Sequence, residues 1–261
     1  MIKKITIILV ATIALITNVN ASSDGDLLLK KNNPTEVKEC WEGFNRASFA
    51  LNQGLDKIIF KPVASVYRVL PTPIKSGVSN SLDNLSNVVT IPNNILQGEF
   101  SKAGVNTGRF LINTSVGILG LIDVAALIGF EEYEKEDYGQ TFATRGVGPG
   151  CYLVLPVLGP STVRDTASSL VNILGGDAWY NITVKNNTEH FEDGDYIASR
   201  IAAGIDFRAK NIESFDNLEK NAIYFYSSVK SLYLQDRQQK ILNSNGIIEA
   251  MDDSDWDEIE N

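Results

Sequence analysis

Residues 110–128 read FLINTSVGILGLIDVAALI, the most apolar run beyond the N-terminal segment, and what this run can be decides the fold. Asn113, Thr114, Ser115 and Asp123 interrupt it, while Gly117 and Gly120 weaken any straight helix. An uncompensated Asp near the middle of a bilayer costs about 2.5 to 3.5 kcal/mol. The run therefore reads as a buried helix, or as a bent one lying half in a leaflet, and not as a through-going span.

Downstream, the stretch from Gly146 to Pro160 combines Gly146, Gly148, Pro149, Gly150, Pro156, Gly159 and Pro160 with apolar Tyr152 to Leu155, Val157 and Leu158. Its prolines forbid a regular helix interior, so it reads as an apolar loop that hides against the core or at a lipid boundary. Ser161 or Thr162 caps a new helix, with Asp165 in a capping-box position and Gly175-Gly176 as its end. Beyond it, Ile197, Ile201 and Ile205, then Ile212, Phe215, Ala222, Phe225, Val229 and Leu232, keep a helical period through long C-terminal helices.

Upstream, Phe44, Ala47, Leu51, Leu55 and Ile58 mark an amphipathic helix. Pro62, Pro71 and Pro73 punctuate short segments, and Ile74, Val78, Leu82 and Leu85 restore the period until Pro92, so short helices joined by proline turns are expected. Strand patterns are missing apart from ambiguous runs such as Tyr152 to Leu155, and an all-α chain follows.

The ends carry an address and a charge. Lys3 and Lys4 precede an apolar run from Ile5 to Ile16 that closes on Val19-Asn20-Ala21, the pattern of a cleaved export signal over residues 1–21. Ser22 and Ser23 stand where a lipoprotein signal has its Cys, so no acyl anchor is expected there. Residues 22–38 form a polar linker, 39–242 a helical domain, and 243–261 an acidic tail around Trp256, read as solvated and disordered. The formal net charge of −9 grows more negative once Lys3 and Lys4 are removed, which argues against nucleic acid as a partner. The two cysteines, Cys40 and Cys151, lack metal-ligand spacing, and in an oxidising compartment they are either one disulfide or two buried thiols.

A reaction centre does not emerge. His190, the single histidine, sits in a polar stretch with nothing to orient its ring, and no Gly-x-Ser-x-Gly elbow accompanies it. Gly146, Gly148 and Gly150 lack the lysine and spacing of a phosphate loop and read as a hinge. The acid pairs Glu131-Glu132 and Glu136-Asp137 read as hydrated turns. No catalytic residue, metal site or cofactor is assigned, and binding or transport outranks catalysis.

Several motifs together match a known family. Trp41-Glu42-Gly43-Phe44-Asn45-Arg46, Lys61-Pro62-Val63-Ala64, Gly77-Val78-Ser79-Asn80, Gly108 to Thr114, Glu136 to Thr141, Gly146 to Gly150, Leu153 to Pro156, Gly159 to Thr162 and Tyr233 to Arg237 resemble the MlaA/VacJ family over about residues 39–240. That resemblance implies a ring or disc of amphipathic helices in one leaflet of the outer membrane, with an amphipathic channel for phospholipid. It implies removal of mislocalised phospholipid from the outer leaflet, a porin trimer as neighbour, and transfer to a soluble periplasmic carrier. A non-transporting porin-associated adaptor and a periplasmic lipid hydrolase are the rival readings.

On this footing the channel candidates are Arg109, Phe110, Asn113, Thr114, Leu119, Leu121 and Asp123. Arg109 either faces a headgroup phosphate or forms a salt bridge with an acid such as Asp123. The stretch from Gly146 to Pro160 is assigned to gating, with glycines as hinges and prolines as stiffeners. Cys40 and Cys151 both stand where the family usually has proline, which favours a disulfide between the N-terminal segment and the gating loop.

Overall fold

The run at 110–128 bends. In the computed structural model, which describes residues 37–186 and 188–242, its first part ends a helix at Ser115, and its remainder turns back on itself before a single helical turn at Val124–Leu127. The reversal needs a left-handed backbone at Ile118 (φ 54), Leu119 (φ 57) and Gly120 (φ 88). A β-branched residue held there is strained, so the surrounding contacts must hold it in place. Gly117 is required by space, since a Cβ would lie 2.2 Å from the Ile122 carbonyl oxygen. Among the described residues no helix is long and apolar enough to cross a membrane.

In chain order the helices are α1 (Glu42–Leu55), α2 (Lys61–Arg68), α3 (Thr72–Gln97), α4 (Phe100–Ser115), α5 (Val124–Leu127) and α6 (Tyr138–Thr144). Strands β1 (Tyr152–Leu155) and β2 (Gly159–Thr162) follow, then α7 (Val163–Val171), α8 (Ala178–Tyr180), α9 (Asp193–Lys210), α10 (Ile212–Asn221) and α11 (Phe225–Leu242). The helical reading holds, with one addition. The ambiguous run Tyr152–Leu155 pairs antiparallel with Gly159–Thr162, setting Tyr152 opposite Thr162 and Leu155 opposite Gly159.

Two proline expectations are corrected. Pro62 lies inside the first turn of α2, which continues from α1 through a π-helical turn at Asp56–Phe60. Pro92 lies within α3, a single helix of 26 residues. A mid-helix proline removes one hydrogen bond and costs about 3 kcal/mol in isolation. Here the side chains of Thr90 and Asn93 bond back to the Ser86 and Val89 carbonyls (3.1 and 2.8 Å), and α4 packs along the helix. The helix ends at Gly98, whose φ of 89° a residue with a side chain would resist.

The packing closes a circuit: α1 joins β1, β2 joins α11, α11 meets α6, α6 meets α3, α3 meets α9, and α9 meets α2, which continues α1. A ring of helices is the result. The apolar cluster within it is small, formed by Tyr152, Val154 and Tyr226 with Val37, Phe49, Tyr233 and Leu234 packed against it. Buried polar residues outnumber buried apolar ones, and large apolar side chains line the outside. The expected export signal, most of the linker and the acidic tail lie outside the described residues.

Candidate functional site

The sequence places asparagines at helical spacing on α3, and the fold turns that stripe inward. Asn84, Asn87, Thr90, Asn93 and Asn94 are buried on α3, opposite Ala103, Asn106, Arg109 and Asn113 on α4. Buried amides must find partners. Asn84 donates to Thr114 Oγ1 (2.8 Å), Asn106 to Asn94 Oδ1 (2.9 Å), and Thr141 to Asn93 Oδ1 (2.6 Å). Buried Glu136 accepts from Gln97 (2.9 Å), and burial pushes its carboxyl up to about 7. The Glu136-Asp137 pair is therefore no hydrated turn: the first acid is enclosed and the second caps α6 by accepting from Gln140 N–H (2.9 Å).

The predicted channel residues divide into a polar knot and an apolar rim. Arg109, 3% exposed, donates to Asp123 Oδ2 (2.7 Å) and to the carbonyls of Phe130 and Glu131 (3.1 and 3.4 Å). Of its two expected roles the structure gives it the salt bridge. Asp123 also accepts from Asn113 (2.8 Å) and caps α5, and these donors hold its carboxyl below the usual range against the opposing effect of burial. Thr114 belongs to the same seam through Asn84. Phe110 is partly buried, while Leu119 (72%) and Leu121 (45%) face outward with Val116, Ile118, Ile122, Leu127 and Ile128. The knot thus clamps the strained reversal, whose apolar side chains project as an outer rim.

The expected gating stretch also falls into two parts. Its base is sewn down: Cys151 is joined to Cys40 in a disulfide with 5.5 Å between Cα atoms, and Tyr152 N–H donates to the Lys38 carbonyl (2.8 Å). Arg164 N–H reaches the Pro149 carbonyl (3.1 Å). The open edge of β1 is satisfied by two side chains of α1, two helical turns apart. Asn45 donates to Tyr152 O (3.2 Å) and accepts from Val154 N–H (2.9 Å), and Asn52 donates to Leu155 O (2.9 Å) and accepts from Val157 N–H (2.6 Å). An isolated hairpin is marginal in water, and these bonds supply the missing neighbour strand. The tip, Pro156, Val157 and Leu158, stays exposed, with Val157 in a left-handed conformation (φ 70). Gly146 and Gly148 lie on the surface ahead of the sewn base.

Cavities flank the hairpin. One, of about 230 Å³, is lined by Phe49, Phe60, Phe215 and Phe225 together with Val157 and Pro160. Another, of about 300 Å³, lies against Leu155, Leu158 and Pro160 and ends in an ion network. There Arg237 of α11 binds Asp137 (2.7 Å) and Asp165 (2.9 Å), and Tyr233 donates to Asp165 (2.6 Å). Both acids are held below the usual carboxylate range by these donors, against burial. Thr162 caps α7 by accepting from Asp165 N–H (3.2 Å), so half of the expected capping box forms and the Asp165 side chain turns to Arg237 instead.

A third cavity, of about 260 Å³, lies between α3 and α9, beneath the segment that carries Lys135. Leu82, Leu85, Val89 and Phe207 give it apolar walls, and Asp83, Lys135, Arg200, Asp206 and Lys210 give it charge. None of the predicted channel residues lines it. An isolated lysine between two acid pairs gives no sign in sequence that it will face a cavity. His190 lies exposed in a turn, and no metal-holding cluster occurs among the described residues.

Comparison with known proteins adds context. A family model described as MlaA lipoprotein matches residues 37–240. A Shigella flexneri protein named intermembrane phospholipid transport system lipoprotein MlaA is 33% identical over 202 residues, covering 74% of each chain. An uncharacterized protein of Rickettsia prowazekii is 40% identical over 142 residues, 54% of this chain and only 56% of that relative's length. A solved structure from work on the structural basis for maintenance of bacterial outer membrane lipid asymmetry superposes with a TM-score of 0.65 at 30% identity, covering 78% of this chain and 99% of that one.

Proposed function

The chain belongs to the MlaA lipoprotein family, and on that premise we propose that it transports phospholipid at the outer membrane, drawing misplaced lipid from the outer leaflet and passing it to a soluble periplasmic carrier. The observation that carries this reading is the inverted polarity of the ring, with asparagines and ion pairs inside and leucine, isoleucine and valine outside. A helical protein surrounded by water is arranged the other way. An apolar belt suits helices lying in the plane of one leaflet, and the same belt offers a surface to a porin trimer.

A phospholipid needs a passage with both kinds of wall. Arg109, Asn113, Thr114 and Asp123 hold the polar inner side of the reversal after α4 in shape beside partly buried Phe110, and Leu119 and Leu121 give its rim an apolar face toward the leaflet. Gating belongs to the hairpin tip, because cavities lie on both sides of it while the base is tied at Cys151 and Tyr152. Gly146, Gly148, Pro149, Gly150, Pro156, Gly159 and Pro160 frame that arm, and movement is confined to Pro156–Gly159. The protein leaves the lipid covalently intact.

Deletion of the gene in its host, followed by labelling of phospholipid accessible at the cell surface, tests this reading. Accumulation in the outer leaflet, reversed by the wild-type gene, is expected. An unchanged outer leaflet, or release of lysolipid and fatty acid when purified protein meets labelled phospholipid, would overturn it.

A further inference from the structure

The cavity between α3 and α9 contains three carboxylates and three cations: Asp83, Asp177, Asp206, Lys135, Arg200 and Lys210. Four of these six are already paired. Arg200 binds Asp177 at 2.5 Å, and Lys210 binds Asp206 at 2.8 Å while also donating to Ser79. Asp206 is further held by the Tyr67 hydroxyl (3.0 Å).

That leaves Lys135 and Asp83. Lys135 Nζ donates to the neutral amide oxygen of Asn87 (3.1 Å), and no carboxylate lies within salt-bridge distance of it among the described residues. The Asp83 carboxylate has no hydrogen-bond or ion-pair partner there. The two groups influence each other's charge without touching, and exposed Glu132, 3.8 Å from Arg109, acts on both. Partial loss of water pushes half-buried Lys135 down and Asp83 up, and since Asp83 remains solvent-exposed and feels Lys135 and Lys210, the larger gain from a ligand's counter-charge falls to Lys135.

Size restricts the ligand. A volume of about 260 Å³ falls below the ~300 to 1,000 Å³ of sites that engulf a drug-sized molecule, so the cavity takes a headgroup and leaves acyl chains to the apolar surfaces beside it. The unpaired complement is one cation and one anion on separate walls. A headgroup bearing one phosphate and one ammonium satisfies both, whereas a phosphate with a neutral substituent leaves Asp83 facing it uncompensated.

We infer that this cavity selects phospholipids with a zwitterionic, phosphoethanolamine-type headgroup over net-anionic ones, Lys135 meeting the phosphate and Asp83 the ammonium. The inference rests on the phospholipid reading above and names its substrate class.

The test uses the full chain, purified in detergent, stripped of lipid and offered equimolar dioleoyl phosphatidylethanolamine and dioleoyl phosphatidylglycerol in mixed micelles. Bound lipid is counted by native mass spectrometry. The wild type is expected to retain phosphatidylethanolamine at least fivefold over phosphatidylglycerol. Asp83→Asn brings that ratio near one, and Lys135→Met lowers retention of both lipids. Should Lys135→Met fail to fold, Asp83→Asn alone decides, and an undiminished preference in it overturns the inference. Equal retention of both lipids by the wild type overturns the headgroup assignment and leaves phospholipid transport standing. Retention of neither overturns both. Displacement of bound lipid by soluble phosphoethanolamine, as effective as by phosphatidylethanolamine micelles, assigns the cavity to a soluble phosphate compound and overturns it as well.

Discussion

At the scale of single residues the interior is governed by polar groups that find one another. Glu136 is the least comfortable of them, since burial raises its carboxyl to about 7 from an ordinary 4.5. The sign follows from which form the folded state disfavours. A raised carboxyl pKa leaves stability intact below about 4.5 and removes it as pH climbs through about 7, a loss on the order of 1 to 3 kcal/mol. Glu136→Gln keeps an acceptor for the Gln97 amide without the charge. The variant is expected to match the wild type in thermal melts near pH 4.5 and to exceed it above pH 7. Identical pH profiles would show that Glu136 ionises freely. Nothing in the sequence Glu-Lys-Glu-Asp distinguishes this enclosed acid from its exposed neighbours, because enclosure comes from α3, some 40 residues away.

At the scale of elements the hairpin is the decisive addition. Its residues lie in a Gly/Pro-rich stretch that sequence marks as a non-helical apolar loop with an ambiguous strand run at Tyr152 to Leu155. β1 forms because α1 offers Asn45 and Asn52 to its free edge, and because the chain at 38–40 lies beside it. The disulfide closes a separation of 111 residues, and cross-links of that reach contribute about 2 to 4 kcal/mol by restricting the unfolded chain. A Cys40→Ser, Cys151→Ser double variant is expected to lose about 2 to 4 kcal/mol of unfolding free energy and so to melt lower, with the loss reproduced by reductant in the wild type. A variant melting together with the wild type in non-reducing buffer would leave the hydrogen bonds as the sole anchor of the hairpin base. α3 offers the opposite lesson. Its prolines argued for breaks, yet Pro92 is carried inside a continuous helix, since packing against α4 outweighs one missing hydrogen bond.

At the scale of the whole molecule the outer surface is apolar where a water-soluble ring would be polar. The rim formed by Ile118, Leu119, Leu121, Ile122, Leu127 and Ile128 projects from the clamped reversal after α4. Burying such side chains in a leaflet contributes about 1.5 to 3 kcal/mol each when complete. A Leu119→Asp, Leu127→Asp variant is therefore expected to float with phosphatidylethanolamine vesicles at least tenfold less than the wild type, with its helicity unchanged. Flotation equal to that of the wild type would place the membrane contact elsewhere on the ring.

By itself the sequence determined the helical class, the interruption of residues 110–128 by Asp123 and its polar neighbours, and the absence of an elbow or phosphate loop, because periodicity and local chemistry are properties of adjacent residues. It also held the asparagine stripe of α3 in plain view. Only the tertiary structure decided which side of each helix turns inward. Leu51, Ile58, Ile74, Ile197 and Ile201 keep their helical period but face out, while Asn45, Asn84 and Asn106 face in. A period of 3.6 defines a face without saying what lies against it, and when the surroundings include lipid the apolar face need not be the buried one. The pairing of Arg109 with Asp123 is settled by the local reversal after α4, whereas the joint position of Lys135 and Asp83 in one cavity depends on helices brought together by the closed ring.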